Sequence, residues 1–175
     1  MNASTVTLIG LMGAGKSRVG QRAAQALDRP FIDTDTLLER AAGKTVAEIF
    51  ATAGEPAFRR LEREAIVTAL ATPGAVVSVG GGAVLDAGNV DHMRAAGPVL
   101  WLYAEPDTLC YRLERSLKRG DRPLLAGSDP LDVLTRLLEQ RRTAYSSAAS
   151  ATLKTDGLSV DQSAALLADW IREHT

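Results

Sequence analysis

Short apolar runs rich in β-branched residues alternate with helix-like patterns along this chain. Such alternation predicts an α/β fold, in which right-handed crossovers build a parallel sheet covered by helices on both faces. Strands are predicted in five segments: TVTLIG, PFIDTD, AVVSVGGG, PVLWLYA and ATLKT. Helices are predicted over about 16–27, 34–42, 45–53, 55–70, 106–117 and 130–147, and from the capping box Ser159-x-x-Gln162 to about Arg172.

Three of the predicted strands end in residues suited to ligand contact. In parallel α/β sheets, ligands bind outside the carboxyl ends of the strands. Gly10, Asp33 and Gly80 all fall at such ends. We therefore expect three distant segments of the chain to meet at one edge of the sheet.

The segment from Gly10 to Ser17 matches the phosphate-binding loop pattern GxxxxGK[ST] in full. In that loop, backbone N–H groups surround the β-phosphate, Lys16 reaches the β- and γ-phosphates, and the Ser17 hydroxyl is placed to hold Mg²⁺. A glycine turn followed by a chance lysine is the alternative. The predicted strand before the loop and the predicted helix after it favour a nucleoside triphosphate.

Three later segments bear on what receives the phosphate. Asp33 and Asp35 lie two residues apart at a strand end, so they face the same side. One carboxylate could order water on Mg²⁺ and the other could accept a hydroxyl proton, although the pair alone fits a helix cap at least as well. Arg59 alone fits a surface position better than a binding site. Gly80–Gly82 leave backbone amides open to a ligand, and a plain turn rarely needs three glycines.

Composition and charge argue against several classes of protein. The 175 residues suit one domain, 46% of them are hydrophobic, and the net charge of −1 argues against a nucleic-acid-binding protein. The single cysteine, Cys110, cannot form an intramolecular disulfide. No targeting segment is visible, and no apolar run approaches the roughly 20 residues of a membrane span. We expect a cytoplasmic monomer that binds neither nucleic acid nor membranes.

The ordered set of phosphate loop, DTD, FRRLE, GGG and RPLL resembles the shikimate kinase family, within the nucleoside-monophosphate-kinase-like P-loop fold. The resemblance spans residues 5 to about 157. It implies a three-layer fold with a five-stranded parallel sheet of order 2-3-1-4-5 and a mobile lid. It also implies transfer of the γ-phosphate of ATP to the 3-hydroxyl of shikimate, with Mg²⁺, in the pathway to aromatic amino acids. A single domain then covers 1–175, with an acceptor-binding segment at 33–60 and the lid at 116–128.

The resemblance also implies roles for residues at the acceptor end. Asp35 would bind the acceptor hydroxyls and act as the base, and Asp33 would hold Mg²⁺ through water beside Ser17. Arg59 and one arginine of QRRTAY would bind the shikimate carboxylate. The residues implied to line the ring are Gly80, Gly81 and Gly82.

Further residues are implied to contact the nucleotide. Arg122 would move with the lid onto the transferring phosphate, and Arg115 would flank the adenine. Lys16, Asp35 and Arg122 are the implied catalytic residues. The loop residues implied to bind ATP are Gly13, Ala14, Gly15, Lys16, Ser17 and Arg18.

Helical spacing distinguishes the two arginines of QRRTAY. In the predicted helix, Arg141 falls within roughly 20° of the centre of the apolar face, and Arg142 lies about 80° away. A charged residue in the middle of an apolar stripe needs a partner, and the family motif also aligns on Arg141, so Arg141 is the predicted carboxylate ligand. Two positions depart from the family pattern, because Arg18 stands where threonine is frequent and Thr143 replaces a usual proline.

Two other functions compete with this interpretation. A related small-molecule kinase, such as gluconate kinase, needs the same loop but not two arginines directed at DTD and GGG. A non-catalytic ATP-binding regulatory module needs neither a base nor a lid arginine, yet Asp35 and Arg122 are both present. Turnover that depends on the acceptor separates these alternatives.

Overall fold

Strands and helices alternate through the computed structural model, which describes residues 4–118 and 129–175. A 3₁₀ turn at Ala83–Leu85 follows the third strand. The strands of this part of the chain are β1 (Val6–Ile9), β2 (Phe31–Asp33), β3 (Val76–Ser78), β4 (Val99–Tyr103) and β5 (Ala151–Lys154). Its helices are α1 (Lys16–Ala26), α2 (Thr34–Ala42), α3 (Val46–Leu70), α4 (Ala87–Ala96), α5 (Pro106–Lys118), α6 (Pro130–Ala148) and α7 (Val160–His174).

The sheet has the predicted order. Within the described residues, five parallel strands pair as β2-β3-β1-β4-β5. Every residue of β1, β3 and β4 is buried, as expected for the central strands of a sheet that helices cover on both faces. The predicted α/β fold and its strand order are therefore confirmed.

The main core lies between these central strands and the helices. Leu8 of β1 and Leu100 of β4 share one apolar cluster with Val19 of α1, Leu134 of α6 and Leu167 of α7. Helix α1 also packs against α7, and α5 packs against α6. This packing fixes the carboxyl edge of the sheet, from which the loops of the site emerge.

Helix α3 consists of two segments that meet at Gly54. Gly54 has φ 77° and ψ 174°, a conformation that is essentially restricted to glycine, and the helix is interrupted there. The two helices predicted over 45–53 and 55–70 meet at this interruption. Pro56 follows in the first turn of the second segment, where its missing N–H is tolerated.

Helix α4 was not part of the sequence prediction. Its apolar pattern is weak, because the residues that it buries are Asn89 and Met93. Asp86 nevertheless caps it by accepting hydrogen bonds from the backbone N–H groups of Gly88 and Asn89. Asp86 as a candidate N-cap was the one sequence signal for this helix, and the helix was missed because its short sequence has no clear apolar stripe.

The last helix has the predicted capping box. The Ser159 hydroxyl accepts from the Gln162 backbone, and the Gln162 side chain accepts from the Ser159 backbone. Helix α5 continues to Lys118, just beyond its predicted end. In the described part of the chain, no helix combines the length and the apolar character that crossing a membrane requires.

Candidate active site

Three loops meet at the carboxyl edge of the sheet. The phosphate loop follows β1, Asp33 ends β2, and Gly80 lies shortly after β3. Since β3 pairs with both β1 and β2, its glycine-rich end stands between the phosphate loop and Asp33. The three segments that the sequence singles out therefore converge at one place.

The phosphate loop has the features of an anion site. Gly15 is the N-cap of α1 with φ 96°, and no side chain caps this helix, so its first backbone N–H groups remain for an external acceptor. Gly13 also has a positive φ of 83°. Nζ of Lys16 donates to the carbonyl oxygens of Gly10 at 2.8 Å and Leu11 at 3.2 Å, so its charge lies against the same loop.

The other predicted loop residues differ in exposure. Ala14 is buried in the main core, whereas Ser17 and Arg18 are exposed at the start of α1. Arg18 is the residue that departs from the family pattern.

Asp33 caps a helix, which is one of the alternatives that the sequence left open, and it also contacts the phosphate loop. Its Oδ1 accepts from the backbone N–H groups of Asp35 at 3.1 Å and Thr36 at 3.3 Å, which caps α2. Its Oδ2 accepts a 2.6 Å hydrogen bond from the Ser17 hydroxyl. One carboxylate therefore both orders a helix and joins the phosphate loop.

This oxygen pair suits Mg²⁺, which prefers hydroxyl, carboxylate, water and phosphate oxygens. Within residues 4–118 and 129–175, no group of three or more His, Cys, Asp or Glu side chains could hold a metal ion. A cation at Ser17 and Asp33 would therefore depend on phosphate and water oxygens for its remaining ligands. Such a donor set matches a metal that arrives with a nucleotide.

Asp35 lies in the first turn of α2, the helix that Asp33 caps. Its pKa is raised to about 6, mainly by burial and to a smaller extent by the charge of Asp33. The charge of Lys16 opposes this rise. A methyl group on Gly80 would lie 3.1 Å from Oδ1 of Asp35, so the carboxylate directly reaches residues Gly80–Gly82, which form the glycine segment. A carboxylate with a pKa near 6 is well suited to accept a proton near neutral pH.

The two predicted arginines reach the glycine segment from different helices. A methyl group on Gly82 would lie 2.8 Å from Nη1 of Arg59, which α3 carries. Nη1 of Arg141, on α6, donates to the Gly81 carbonyl at 3.1 Å. Arg142 is instead exposed and lies over the Tyr103 ring, 5.7 Å from its centroid. The structure brings Arg59 and Arg141 together and leaves Arg142 outside.

Glu62 is a site residue that the sequence analysis did not select. Its side chain is 1% exposed, and its Oε2 accepts from Nη1 of Arg59 at 2.7 Å. A methyl group on Gly80 would lie 2.9 Å from its Oε1. Burial raises the pKa of Glu62, and the hydrogen bond from Arg59 opposes that rise. Glu62 falls on the apolar stripe of its helix with Phe58, so the spacing test that selects Arg141 would also have found it.

A second carboxylate holds the other side of Arg59. Oε1 of Glu55 accepts from Nη2 at 3.1 Å and from Nε at 3.3 Å. Burial alone lowers the pKa of Arg59, but the hydrogen bonds and charges of Glu62 and Glu55 raise it above its ordinary value. The Glu55 side chain is 64% exposed, which makes it the more easily displaced of the two partners.

Comparisons with known proteins agree with this geometry. The family model described as shikimate kinase matches residues 12–172. The chain belongs to the shikimate kinase family. Among its relatives, the shikimate kinase of Symbiobacterium thermophilum is 45% identical over 168 residues, which cover 96% of each chain. That of Thermus thermophilus is 41% identical over 161 residues, or 91% of this chain and 85% of the relative.

Solved structures of shikimate kinases share the whole fold. The enzyme from Acinetobacter baumannii in complex with shikimate superposes with a TM-score of 0.90 at 32% identity, over 97% of this chain and 93% of that one. A gluconokinase from Sinorhizobium meliloti is 20% identical with a TM-score of 0.56, so it shares the fold alone. Membership of the shikimate kinase family makes this chain an ATP-using phosphotransferase of the shikimate pathway, as the motifs predict.

Part of the predicted shikimate kinase site lies outside the described residues. Arg122 and residues 119–128 of the expected lid are in this part of the chain. The side chain of Arg115 is also outside it, although α5 includes the residue. The nucleotide contacts of both arginines remain predictions.

Proposed function

We propose that the chain transfers the γ-phosphate of ATP to the 3-hydroxyl of shikimate and releases shikimate 3-phosphate and ADP. The observation that carries the proposal is the approach of Asp35, Arg59 and Arg141 to one glycine segment beside the phosphate loop. A base and two carboxylate-binding groups then surround the position next to the γ-phosphate. This arrangement suits a small acceptor that has both hydroxyls and a carboxylate.

The phosphate loop would bind the triphosphate through the backbone of Gly13–Ser17, with Arg18 beside it. Lys16 would exchange its bonds to the Gly10 and Leu11 carbonyls for bonds to the β- and γ-phosphates. Ser17 and, through water, Asp33 would hold Mg²⁺, which neutralises charge on the β- and γ-phosphate oxygens. The 2.6 Å contact between these two residues supports a shared site for the ion.

Asp35 would accept the proton of the 3-hydroxyl as the hydroxyl oxygen bonds to the γ-phosphorus. The bond from that phosphorus to the β–γ bridging oxygen breaks, and ADP leaves with the electron pair. The catalytic need in such a transfer is positioning and charge stabilisation, because little covalent help is required. The raised pKa of Asp35 supports its role as proton acceptor.

Arg59 and Arg141 would bind the shikimate carboxylate, since a planar guanidinium pairs with a carboxylate through two hydrogen bonds. Arg59 is bonded to Glu55 and Glu62 without the substrate. The substrate carboxylate would replace the exposed Glu55, while the buried Glu62 keeps hold of Nη1. The arginine therefore changes one carboxylate partner for another and does not lose its charge compensation.

The remaining assignments rest on the sequence motifs. Arg122 would stabilise the transferring phosphate from a lid over 116–128, and Arg115 would flank the adenine. Residues 33–60 would form the acceptor-binding segment of a single domain that works as a monomer in the cytoplasm. The proposals for the lid, the adenine contact and the acceptor-binding segment follow from the order and spacing of RPLL and the earlier motifs, whereas the cytoplasmic monomer is an expectation from the sequence as a whole.

An ADP-release assay with several acceptors tests the proposed function. With ATP and Mg²⁺, release should depend on shikimate and should stay at background with gluconate. A regulatory module would instead bind ATP without any turnover that depends on an acceptor. Faster release with gluconate than with shikimate would assign the chain to a different kinase activity.

A further inference from the structure

Two side chains of α6 donate to one carbonyl oxygen of the glycine segment. The Tyr145 hydroxyl donates to the Gly81 oxygen at 2.6 Å, and Nη1 of Arg141 donates to the same oxygen at 3.1 Å. The donors lie four residues apart, so they stand one helical turn from each other on one face of α6. The shorter of the two bonds belongs to the tyrosine, which is not among the site residues predicted from the sequence.

The tyrosine is held rigidly in the core. Tyr145 is 0% exposed, and its ring stacks on Trp101 of β4 with centroids 5.3 Å apart and planes at 23°. Trp101 in turn packs edge-on against Tyr103 at 5.2 Å. Burial raises the pKa of Tyr145 to about 12, so its hydroxyl keeps its proton and remains a donor at any working pH.

We propose that Tyr145 is a positioning residue for shikimate: its hydroxyl holds the Gly81 carbonyl so that Arg141 is released to the substrate carboxylate. This inference rests on the proposed function. Arg141 serves two acceptors in turn, the Gly81 oxygen in the free protein and the carboxylate in the complex. Tyr145 serves the Gly81 oxygen in both states.

The reason lies in the hydrogen bonds of the Gly81 carbonyl group, which is partly buried. A carbonyl oxygen accepts up to two hydrogen bonds, and one that is shielded from water is destabilised when it loses its donors. With the tyrosine hydroxyl present, Arg141 can leave the Gly81 oxygen and that oxygen still has a donor. Without the hydroxyl, substrate binding would compete with the loop for the same guanidinium. The glycine segment, which lines the proposed acceptor site, would also lose the hydrogen bond from Tyr145 that holds it to α6.

Tyr145→Phe tests this role because it keeps the ring and its stack on Trp101 and removes only the hydroxyl. We expect the KM for shikimate to rise about three- to tenfold, the range of one hydrogen bond. The kcat and the KM for ATP should change less than twofold. Tyr103→Phe is the matched control, since it removes a hydroxyl from the same aromatic cluster at a residue without a bond to Gly81; it should leave the KM for shikimate unchanged.

A double variant separates positioning from general support of the loop. If the hydroxyl acts through Arg141, Tyr145→Phe should barely change the Kd of shikimate in an Arg141→Ala background. An equal loss of affinity in both backgrounds would overturn the proposal, because the hydroxyl would then act independently of Arg141. An unchanged KM in the single variant, in a protein whose wild type consumes ATP with shikimate, would also overturn it.

The wild-type protein gives an independent test if Tyr145→Phe does not fold. In a crystal structure with shikimate, Tyr145 should remain within about 3.2 Å of the Gly81 oxygen while Arg141 contacts the carboxylate. The reverse exchange, in which Arg141 keeps Gly81 and the tyrosine moves away, would contradict the inference. A wild-type protein with no turnover or binding of shikimate would overturn the proposed function, and this inference with it.

Discussion

Burial, with a smaller contribution from the charge of Asp33, raises the pKa of Asp35 to about 6. Because the proposed base acts as the ionised carboxylate, kcat/KM for shikimate should reach a plateau above about pH 7. It should fall about tenfold per pH unit well below pH 6. A pH–rate profile at saturating ATP measures this. A profile that is flat between pH 5 and pH 8 would contradict the assignment of Asp35 as the base.

The ionised form of Asp35 should also lower the stability of the fold. The folded-state pKa of Asp35 is above its ordinary value of 3.8, so its contribution to stability is fully present below about pH 4 and is lost as pH rises through about 6. Asp35→Asn should therefore raise the free energy of unfolding at pH 8 by roughly 1–3 kcal/mol while it abolishes turnover. Urea unfolding at pH 8 and pH 4 checks this, with the exposed Asp91→Asn as control. A variant less stable than wild type at pH 8 would show that the ionised group helps the fold.

The two proposed ligands of the shikimate carboxylate are Arg59 and Arg141. Arg142, the neighbour of Arg141 in the sequence, is not one of them and serves as the control. Arg59→Ala or Arg141→Ala should weaken shikimate binding by on the order of 2–5 kcal/mol, or about 30-fold or more, and change ATP binding much less. Arg142→Ala should be mild, since its guanidinium lies over Tyr103. Titration calorimetry with each ligand makes the comparison. Equal losses for both ligands would mean that these arginines do not bind the carboxylate.

At the scale of elements, the interruption of α3 gives the most direct stability prediction. Gly54→Ala places a Cβ on a backbone with φ 77° and ψ 174°, which should cost on the order of 1–3 kcal/mol. Gly43→Ala is the matched control, because Gly43 has the ordinary left-handed φ of 63° and open space around it. Urea unfolding of both variants measures the difference. A smaller loss for Gly54→Ala than for Gly43→Ala would show that the helix can rejoin without strain.

The elements differ in how clearly the sequence predicts them. β4 is buried throughout and reads as one apolar run, whereas α4 buries only Asn89 and Met93 and has no stripe to detect. Spacing on α6 selects Arg141 over Arg142 because that helix has a well-defined apolar face. The same logic applied to α3 reaches Glu62, a carboxylate on an apolar stripe. Helical spacing is therefore informative about polar site residues wherever the opposite face is clearly exposed.

At the scale of the whole molecule, topology accounts for most of what could be predicted about the site. Parallel strands that end at one edge bring the phosphate loop, Asp33 and Gly80 together, whatever their separation along the chain. The partners of individual side chains are predictable only in part. Glu55 and Glu62 lie four and three residues from Arg59 on one helix, so helical spacing makes both of them candidate partners. The shared Gly81 carbonyl has no such signature, because it lies 60 and 64 residues from its two donors along the chain.

Nucleotide bound at the phosphate loop and shikimate bound at the glycine segment should stabilise the fold independently of each other. A ligand at 100 times its Kd adds about 2.7 kcal/mol to the free energy of unfolding, which for a chain of this size is a Tm increase of roughly 5–10 °C. In wild type, Mg²⁺–ADP and shikimate should each produce such a shift. Lys16→Met should lose the nucleotide shift and keep the shikimate shift, because the Lys16 amino group lies against the Gly10 and Leu11 carbonyls of the phosphate loop. Arg141→Ala should show the reverse, because its guanidinium faces the glycine segment. Thermal unfolding with each ligand tests both variants. A variant that loses both shifts would mean that the phosphate loop and the acceptor residues bind their ligands as one unit.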